Sequence, residues 1–323
     1  MAKQKKIGIL TSGGDAPGMN AAIRAVVRTA LHFNCKVVGI KRGFDGLMSG
    51  DIFDMNGHSV SDIIHRGGTM LLTARCPEMM TEDGQARAAS VCKVLGLDAL
   101  VIIGGDGSMR GAEALAKRGV NVFGIPGTID LDFECTDYTV GFDTAVNTGM
   151  EAINKIRDTS CSHERCSVVE VMGRNCGQIA LWCGLTGGAE EVAIVEQNDV
   201  NAESIIKQII ENRSKGKTHN LVIVAEGVGG SVALAKEIER VTGIESRATI
   251  LGHLQRGGAP TAVDRVHASI MGYYAVESFV AGKENRVVIY KDGKYTDVGI
   301  AEMFSIKREY DSSLYDILKI LAV

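Results

Sequence analysis

Asp130 and Asp132 lie one residue apart in "PGTIDLD", at the end of an apolar run. In an extended segment, side chains two apart point the same way. Both carboxylates and Thr128 are then expected on one face, with Leu131 turned into packing. Paired acids of this kind suit a division of labour, one accepting a hydroxyl proton and the other helping to hold a metal. A solvated acidic turn is the plain alternative. In "ILTSGGDAPGMN", Gly13 and Gly14 follow an apolar strand and precede a helix entered around Pro17. Tight backbone and a helix dipole there favour a phosphate, although a simple strand-to-helix turn uses the same residues. "VIIGGDGSMRG" repeats the design with Gly104, Gly105, Asp106, Gly107 and Ser108. A carboxylate beside a phosphate cradle needs a neutralising cation. Asp106 therefore points to Mg²⁺ held between protein and nucleotide, or else to a cap on the helix beginning near Ser108.

Positive charge for a phosphorylated substrate is available in other loops. It comes from Arg75 in "TARCPE", Arg165 in "SHERC", Arg174 in "VMGRNCG", Arg247 in "IESRAT", and His253 and Arg256 in "LGHLQRGG". Arginine in a glycine-rich loop suits bidentate phosphate contacts. Other nucleotide signatures fail. "ENRSKGKTHN" has Glu211 where a P-loop needs its first glycine and follows a helix, and no G-x-G-x-x-G occurs. "CSHERC" lacks zinc-finger spacing and a second ligand pair.

The elements that position these loops follow from periodicity. Short β-branched runs ("KKIGIL", "KVVGI", "ALVIIGG", "VNVFGI", then "SVVEVMG", "EVAIVE", "NLVIVAEG") alternate with helical patterns, among them helices from about Ala21 and Met109. Continuous apolar strands with intervening helices predict an α/β fold of two doubly wound, mostly parallel sheets covered on both faces. "TVGFDTAVNTGMEAINKIRDT" predicts one long helix bridging them. Ligands in such folds bind at the carboxyl ends of strands, which is where the glycine- and acid-rich loops fall.

Composition narrows the class. The 323 residues suffice for two domains, and 45% hydrophobic content fills two cores. A net charge of -4 with mixed signs argues against nucleic acid or an anionic membrane as the main partner. No apolar stretch approaches a membrane span, and the basic start "MAKQKKIGIL" runs into a glycine turn rather than a signal-peptide core. Eight scattered cysteines without a CxxC read as reduced thiols of a cytoplasmic protein.

Together "GILTSGGDAPGMNAAIR", "HRGGT", "IGGDGS", "PGTID", "GFDTA", "RDTSCSHER", "VVEVMGR" and "LGHLQRGG" resemble the bacterial-type ATP-dependent 6-phosphofructokinases, from about residue 5 to 280. The resemblance implies the phosphofructokinase fold. Its larger ATP domain would be 1–138 with about 252–304, and its smaller fructose 6-phosphate domain 139–251 with about 305–323. It implies Mg²⁺-assisted transfer from ATP to the 1-hydroxyl of fructose 6-phosphate, with Asp130 as base and Asp106 on the metal. Thr128 and Asp132 would help hold sugar, phosphate and metal, and Arg75 and Arg174 would stabilise the transferring phosphoryl group. Gly14, Phe44, Arg75, Cys76, Gly107 and Ser108 match nucleotide positions. Met172, Gly173, Arg174, Glu226, His253 and Arg256 match sugar-phosphate positions, as do Arg165 and Arg247, which the family supplies from a neighbouring subunit of a homotetramer. Arg24, Arg28, Arg157, Glu190, Lys215, Lys217 and His219 match an effector site for ligands such as ADP or phosphoenolpyruvate. Pyrophosphate-using members carry a bulkier acid after "GGD" and a lysine before "TID". Gly107 and Gly127 here are expected to leave room for the α-phosphate. Three departures stand out: Gly57 in place of a common arginine, Cys76 in place of an aromatic residue, and Leu131 in place of asparagine.

Overall fold

The computed structural model describes residues 4–197, 201–308 and 310–322. In chain order the elements begin β1 (Lys6–Ser12), α1 (Met19–His32), β2 (Lys36–Ile40), α2 (Gly43–Ser49), β3 (Ile52–Met55), α3 (Glu82–Val94), β4 (Ala99–Gly104), α4 (Asp106–Ala116) and β5 (Val122–Pro126). There follow α5 (Phe142–Ser162), β6 (Cys166–Val171), α6 (Gln178–Gly187), β7 (Glu191–Ala193), α7 (Ala202–Ser214), β8 (Asn220–Ala225), α8 (Ser231–Thr242) and β9 (Ser246–Ile250). The last are α9 (Ala262–Val280), β10 (Arg286–Lys291), β11 (Lys294–Gly299) and α10 (Ser313–Leu321). Among the described residues no helix is long and apolar enough to cross a membrane.

The chain divides into two compact units, one comprising Met1–Ile129, Phe133–Thr144 and Arg256–Arg308, the other Asp130–Asp132, Ala145–Gln255 and Glu309–Val323. The dividing point after Thr144 falls inside the long helix α5, near its start.

The larger unit holds a seven-stranded sheet in the order β11-β10-β5-β4-β1-β2-β3. Its inner strands are parallel, and β3 and β11 close the edges antiparallel. Every residue of β4 and β5 is buried, as apolar runs covered on both faces require. The antiparallel edges were not legible in advance, because β11, "KYTDVG", is short, polar and half exposed, as edge strands commonly are. Helix α1 begins two residues before the expected Ala21, at Met19, after Gly18 in a left-handed conformation (φ +106°). It buries Met19, Ala22, Ile23, Val26, Val27 and Ala30, a stripe at three- and four-residue spacing. Helix α9 lies close on it at Gly272, where a Cβ would stand 2.8 Å from the Ala22 carbonyl oxygen.

The smaller unit holds a four-stranded, wholly parallel sheet in the order β7-β8-β6-β9. Its core joins Cys166, Val168, Val222 and Val224 on the strands to Ile205 and Ile209 of α7 and Ile238 of α8.

Candidate active site

Three adjacent strands of the larger unit end at one level. Ser12 of β1 is in register with Gly104 of β4, and Gly104 with Pro126 of β5. The loops leaving them carry the glycines, Asp106 and Thr128, so the sheet register itself gathers the expected chemistry. Ser108 ties two loops together, its hydroxyl donating to the Ser12 carbonyl at 2.9 Å while its side chain is buried. Gly104 is obligatory there, since a Cβ would lie 2.5 Å from both that hydroxyl and the Ser12 oxygen. The Thr73 hydroxyl donates to the Gly13 carbonyl at 2.6 Å and Thr11 to Leu72 O at 2.8 Å, leaving Arg75 exposed two residues farther on.

Helix α4 starts at Asp106, three residues earlier than Met109, and its cap is Gly105, whose backbone carries no capping side chain. Asp106 is therefore a first-turn residue and not the cap. Its carboxylate is partly exposed and meets Arg110 at 2.9 Å. Among the described residues no group of three or more His, Cys, Asp or Glu side chains is placed to hold a metal. One accessible carboxylate beside two glycine loops fits Mg²⁺ that draws its remaining ligands from phosphate and water, the usual manner of that ion.

The two glycines expected to make room for a nucleotide do different things. A Cβ on Gly107 would meet nothing within 4 Å, whereas one on Gly127 would lie 2.9 Å from Ile103 Cγ2 and 3.2 Å from Met19 Cε. Close packing against Ile103 and Met19 is by itself enough to call for glycine at position 127. Phe44 is buried with Leu47, Met79 and Met109, and its ring is where a Cβ on Gly111 would have to go. Cys76 precedes a short 3-10 turn at Pro77–Met80, and partial burial raises its thiol pKa. The guanidinium of Arg256 lies over Gly14, 2.8 Å from where a Cβ would be, and donates to Asp15 O at 3.3 Å.

The acid pair departs from the strand expectation. Leu131 has φ +53°, so residues 130–132 are not extended and alternation is not what sets the two carboxylates. The side chain of Leu131 is nevertheless packed, at 6% exposure, and its carbonyl accepts from the Cys176 thiol at 3.7 Å. Asp130 is 5% exposed. Asp132 lies 3.7 Å from the guanidinium of Arg174, which is itself 61% exposed.

The smaller unit repeats the strand-end logic. Val171 and Ala225 end β6 and β8 in register, and Met172, Gly173, Arg174 and Glu226 follow them. Glu226 accepts the backbone N–H groups of Gly173 (3.3 Å) and Arg174 (2.6 Å), holding Arg174 in a left-handed conformation at φ +55°. His253 is exposed beyond β9. Gln255, which sequence reasoning passed over, is fully buried and accepts Met172 N–H at 2.8 Å while donating to Ala145 O at 3.2 Å. Its place between His253 and Arg256 was visible, but an amide in that motif gives no sign of burial. Arg165 and Arg247 share one carboxylate, Glu245, at 2.7 Å each, and those bonds lower its pKa, Arg165 foremost.

A profile of the phosphofructokinase family matches residues 6–279. The chain belongs to the phosphofructokinase family. It is similar to the ATP-dependent 6-phosphofructokinase of Clostridium botulinum, 60% identical over 98% of this chain and 99% of the relative. The enzyme of the same name in Clostridium acetobutylicum is 57% identical over the same shares. Among solved structures, phosphofructokinase of Saccharomyces cerevisiae superposes with a TM-score of 0.87 at 32% identity, covering 99% of this chain and 48% of that one. The chain thus spans about half the length of the yeast phosphofructokinase chain.

Three of the seven residues matching the family's effector site, Glu190, Lys217 and Arg157, are engaged in contacts within the protein. Glu190 is 4% exposed and binds Lys217 at 3.1 Å and the Leu221 N–H at 2.6 Å. Arg157 donates to the Gly187 carbonyl. Lys215 is exposed just past α7, in the stretch rejected as a P-loop, and His219 is half-buried. Arg24 and Arg28 stand one turn apart on α1, Arg24 half-buried and Arg28 exposed. Gly57 opens a 3-10 turn at His58–Val60, and a Cβ there would touch nothing within 4 Å.

Proposed function

We propose that the chain transfers the γ-phosphoryl group of ATP to the 1-hydroxyl of fructose 6-phosphate, giving fructose 1,6-bisphosphate and ADP. The observation that carries this reading is the row Ser12, Gly104, Pro126, which puts two glycine loops and Thr128 at one level of a parallel sheet. Nearly full-length similarity to ATP-dependent 6-phosphofructokinases supports it. The larger unit takes the nucleotide, with Gly14, Arg75, Gly107 and Ser108 around its phosphates. The smaller unit takes the sugar phosphate through Met172, Gly173, Arg174, Glu226 and His253, joined by Arg256. Asp130 accepts the proton of the 1-hydroxyl as its oxygen attacks the γ-phosphorus. The bond from that phosphorus to the β,γ-bridging oxygen breaks, and ADP leaves. Asp106 would hold Mg²⁺ together with the nucleotide phosphates, and the ion would neutralise charge developing on the phosphoryl oxygens. Arg75 and Arg174 add fixed positive charge to the same group, and Asp132 orients Arg174. Arg165 and Arg247 serve a neighbouring subunit's sugar phosphate in a homotetramer of the cytoplasm. ADP or phosphoenolpyruvate acts at Arg24, Arg28, Arg157, Glu190, Lys215, Lys217 and His219.

A coupled assay for ADP tests the reaction. ATP with Mg²⁺ and fructose 6-phosphate is expected to give turnover on the order of 1–100 s⁻¹, the common range for kinases. Turnover with pyrophosphate but not ATP would overturn the donor.

Leu131 gives a second, smaller test. Asparagine tolerates the left-handed backbone that leucine resists, a relief of about 1 kcal/mol, but removing a buried leucine loses about 2 kcal/mol. Leu131→Asn is therefore expected to lower Tm slightly while turnover changes less than about tenfold, or 1.4 kcal/mol in the barrier. A gain of a hundredfold would mean that leucine impairs the loop.

A further inference from the structure

The link between β5 and α5 is held by a carboxylate far away in sequence. Asp264, in the first turn of α9, has no exposed surface. It accepts from the Tyr138 hydroxyl (2.6 Å), Gly141 N–H (2.6 Å), Thr144 N–H (2.8 Å) and the Thr144 hydroxyl (2.5 Å). Burial raises its pKa, and those donated bonds offset that rise only in part. The His267 ring stacks on Tyr138 with centroids 3.8 Å apart, and Thr261 bonds Asp143 at 2.5 Å, so the whole segment 138–144 is fixed.

That segment touches two of the loops that carry chemistry. The Thr139 hydroxyl donates to the Thr128 carbonyl at 2.7 Å, and Val140 N–H to the Pro126 carbonyl at 3.0 Å. Gly127 and Val140 extend the sheet by one parallel bridge. On its other side the segment meets the loop after β1. A Cβ on Gly141 would lie 2.7 Å from the Ala16 Cβ, and one on Gly18 2.7 Å from Val140 Cγ1. Helix α9 needs no such bonds for its own cap, which Thr261 already supplies by accepting the Asp264 N–H at 3.3 Å. The carboxylate is free to serve the neighbouring segment instead.

We propose that Asp264 is a positioning residue for phosphoryl transfer, clamping Tyr138–Thr144 so that Thr139 fixes the backbone of Thr128, two residues before Asp130. The role rests on the reaction proposed above. Four converging donors require a group that only accepts, and an amide would turn two of its own N–H bonds against them. Misplacement of a catalytic loop lowers the rate more than it lowers ground-state affinity.

The test compares wild type, Asp264→Asn, Thr139→Val, Thr139→Ser and the Asp264→Asn/Thr139→Val double variant by kcat, both KM values and Tm. Thr139→Val is expected to lower kcat about tenfold with each KM within about threefold, and Thr139→Ser to restore kcat to within about twofold. Asp264→Asn is expected to lose at least as much, and the double variant no more than Asp264→Asn, because both act through one chain of contacts. Folded variants with wild-type kcat, or losses that multiply in the double variant, overturn the role. Should Asp264→Asn fail to fold, the Thr139 pair decides alone. An inactive wild type would overturn the reaction itself, whereas an active wild type with unimpaired Thr139→Val overturns only this role.

Discussion

Asp130→Asn is expected to lower kcat by about 10²–10⁴-fold, the usual contribution of a general base, while KM for fructose 6-phosphate changes little. Asparagine keeps the shape of the side chain, and at 5% exposure that shape is packed, so the fold should survive. What is lost is an oxygen able to take the 1-hydroxyl proton as the phosphorus–oxygen bond forms. A loss confined to the transition state lowers kcat and kcat/KM together, which separates this role from one in sugar binding. Near-normal turnover in the purified variant would remove Asp130 from the mechanism. A raised KM with kcat intact would make it a sugar ligand only.

Gly107→Asp is expected to cost about a hundredfold or more in kcat/KM for ATP, because it adds a second carboxylate beside Asp106 where nucleotide phosphates must approach. The variant should fold normally, since a Cβ at Gly107 has nothing within 4 Å. Gly127→Ala is the informative contrast. Its Cβ would press on Ile103 at 2.9 Å, so the expected effect is a lower Tm. If Gly107→Asp leaves ATP kinetics unchanged, the space over that glycine is not where the phosphates pass.

The sheets and the loops between them were legible because continuous apolar runs such as "ALVIIGG" mark strands covered on both faces, and glycine with acid at their ends marks the binding level. Register was not legible: nothing in three separate runs says that Ser12, Gly104 and Pro126 finish side by side. Periodicity also misled at "TIDLD". The pattern suggests alternation, but the backbone turns left-handed at Leu131, a conformation that a leucine in the sequence gives no reason to expect. Asp264 was hidden differently. "TAVD" has the spacing of a helix cap, and Thr261 does cap α9, so the motif accounts for itself without disclosing that the acid faces residues 120 positions away. Gly107 and Gly127 show the limit of residue identity alone. Both are glycines beside a site loop, and only the atoms around each reveal that one faces open space and the other the core.

The order of strands has a consequence during synthesis on the ribosome. The sheet β7-β8-β6-β9 comes from one uninterrupted stretch, residues 166–250, and can close as soon as that stretch emerges. The larger sheet cannot. Strand β5 pairs with β10, whose Arg286 sits against Phe123, and across the same gap Asn285 Oδ1 accepts the Val122 N–H while Asn121 Oδ1 accepts the Asn285 N–H. Until some 160 further residues have been translated, the β5 edge of the nascent sheet stays unpaired, with fully apolar neighbours behind it. Such an edge is the place where premature strand pairing between growing chains begins, and where a chaperone has most to shield.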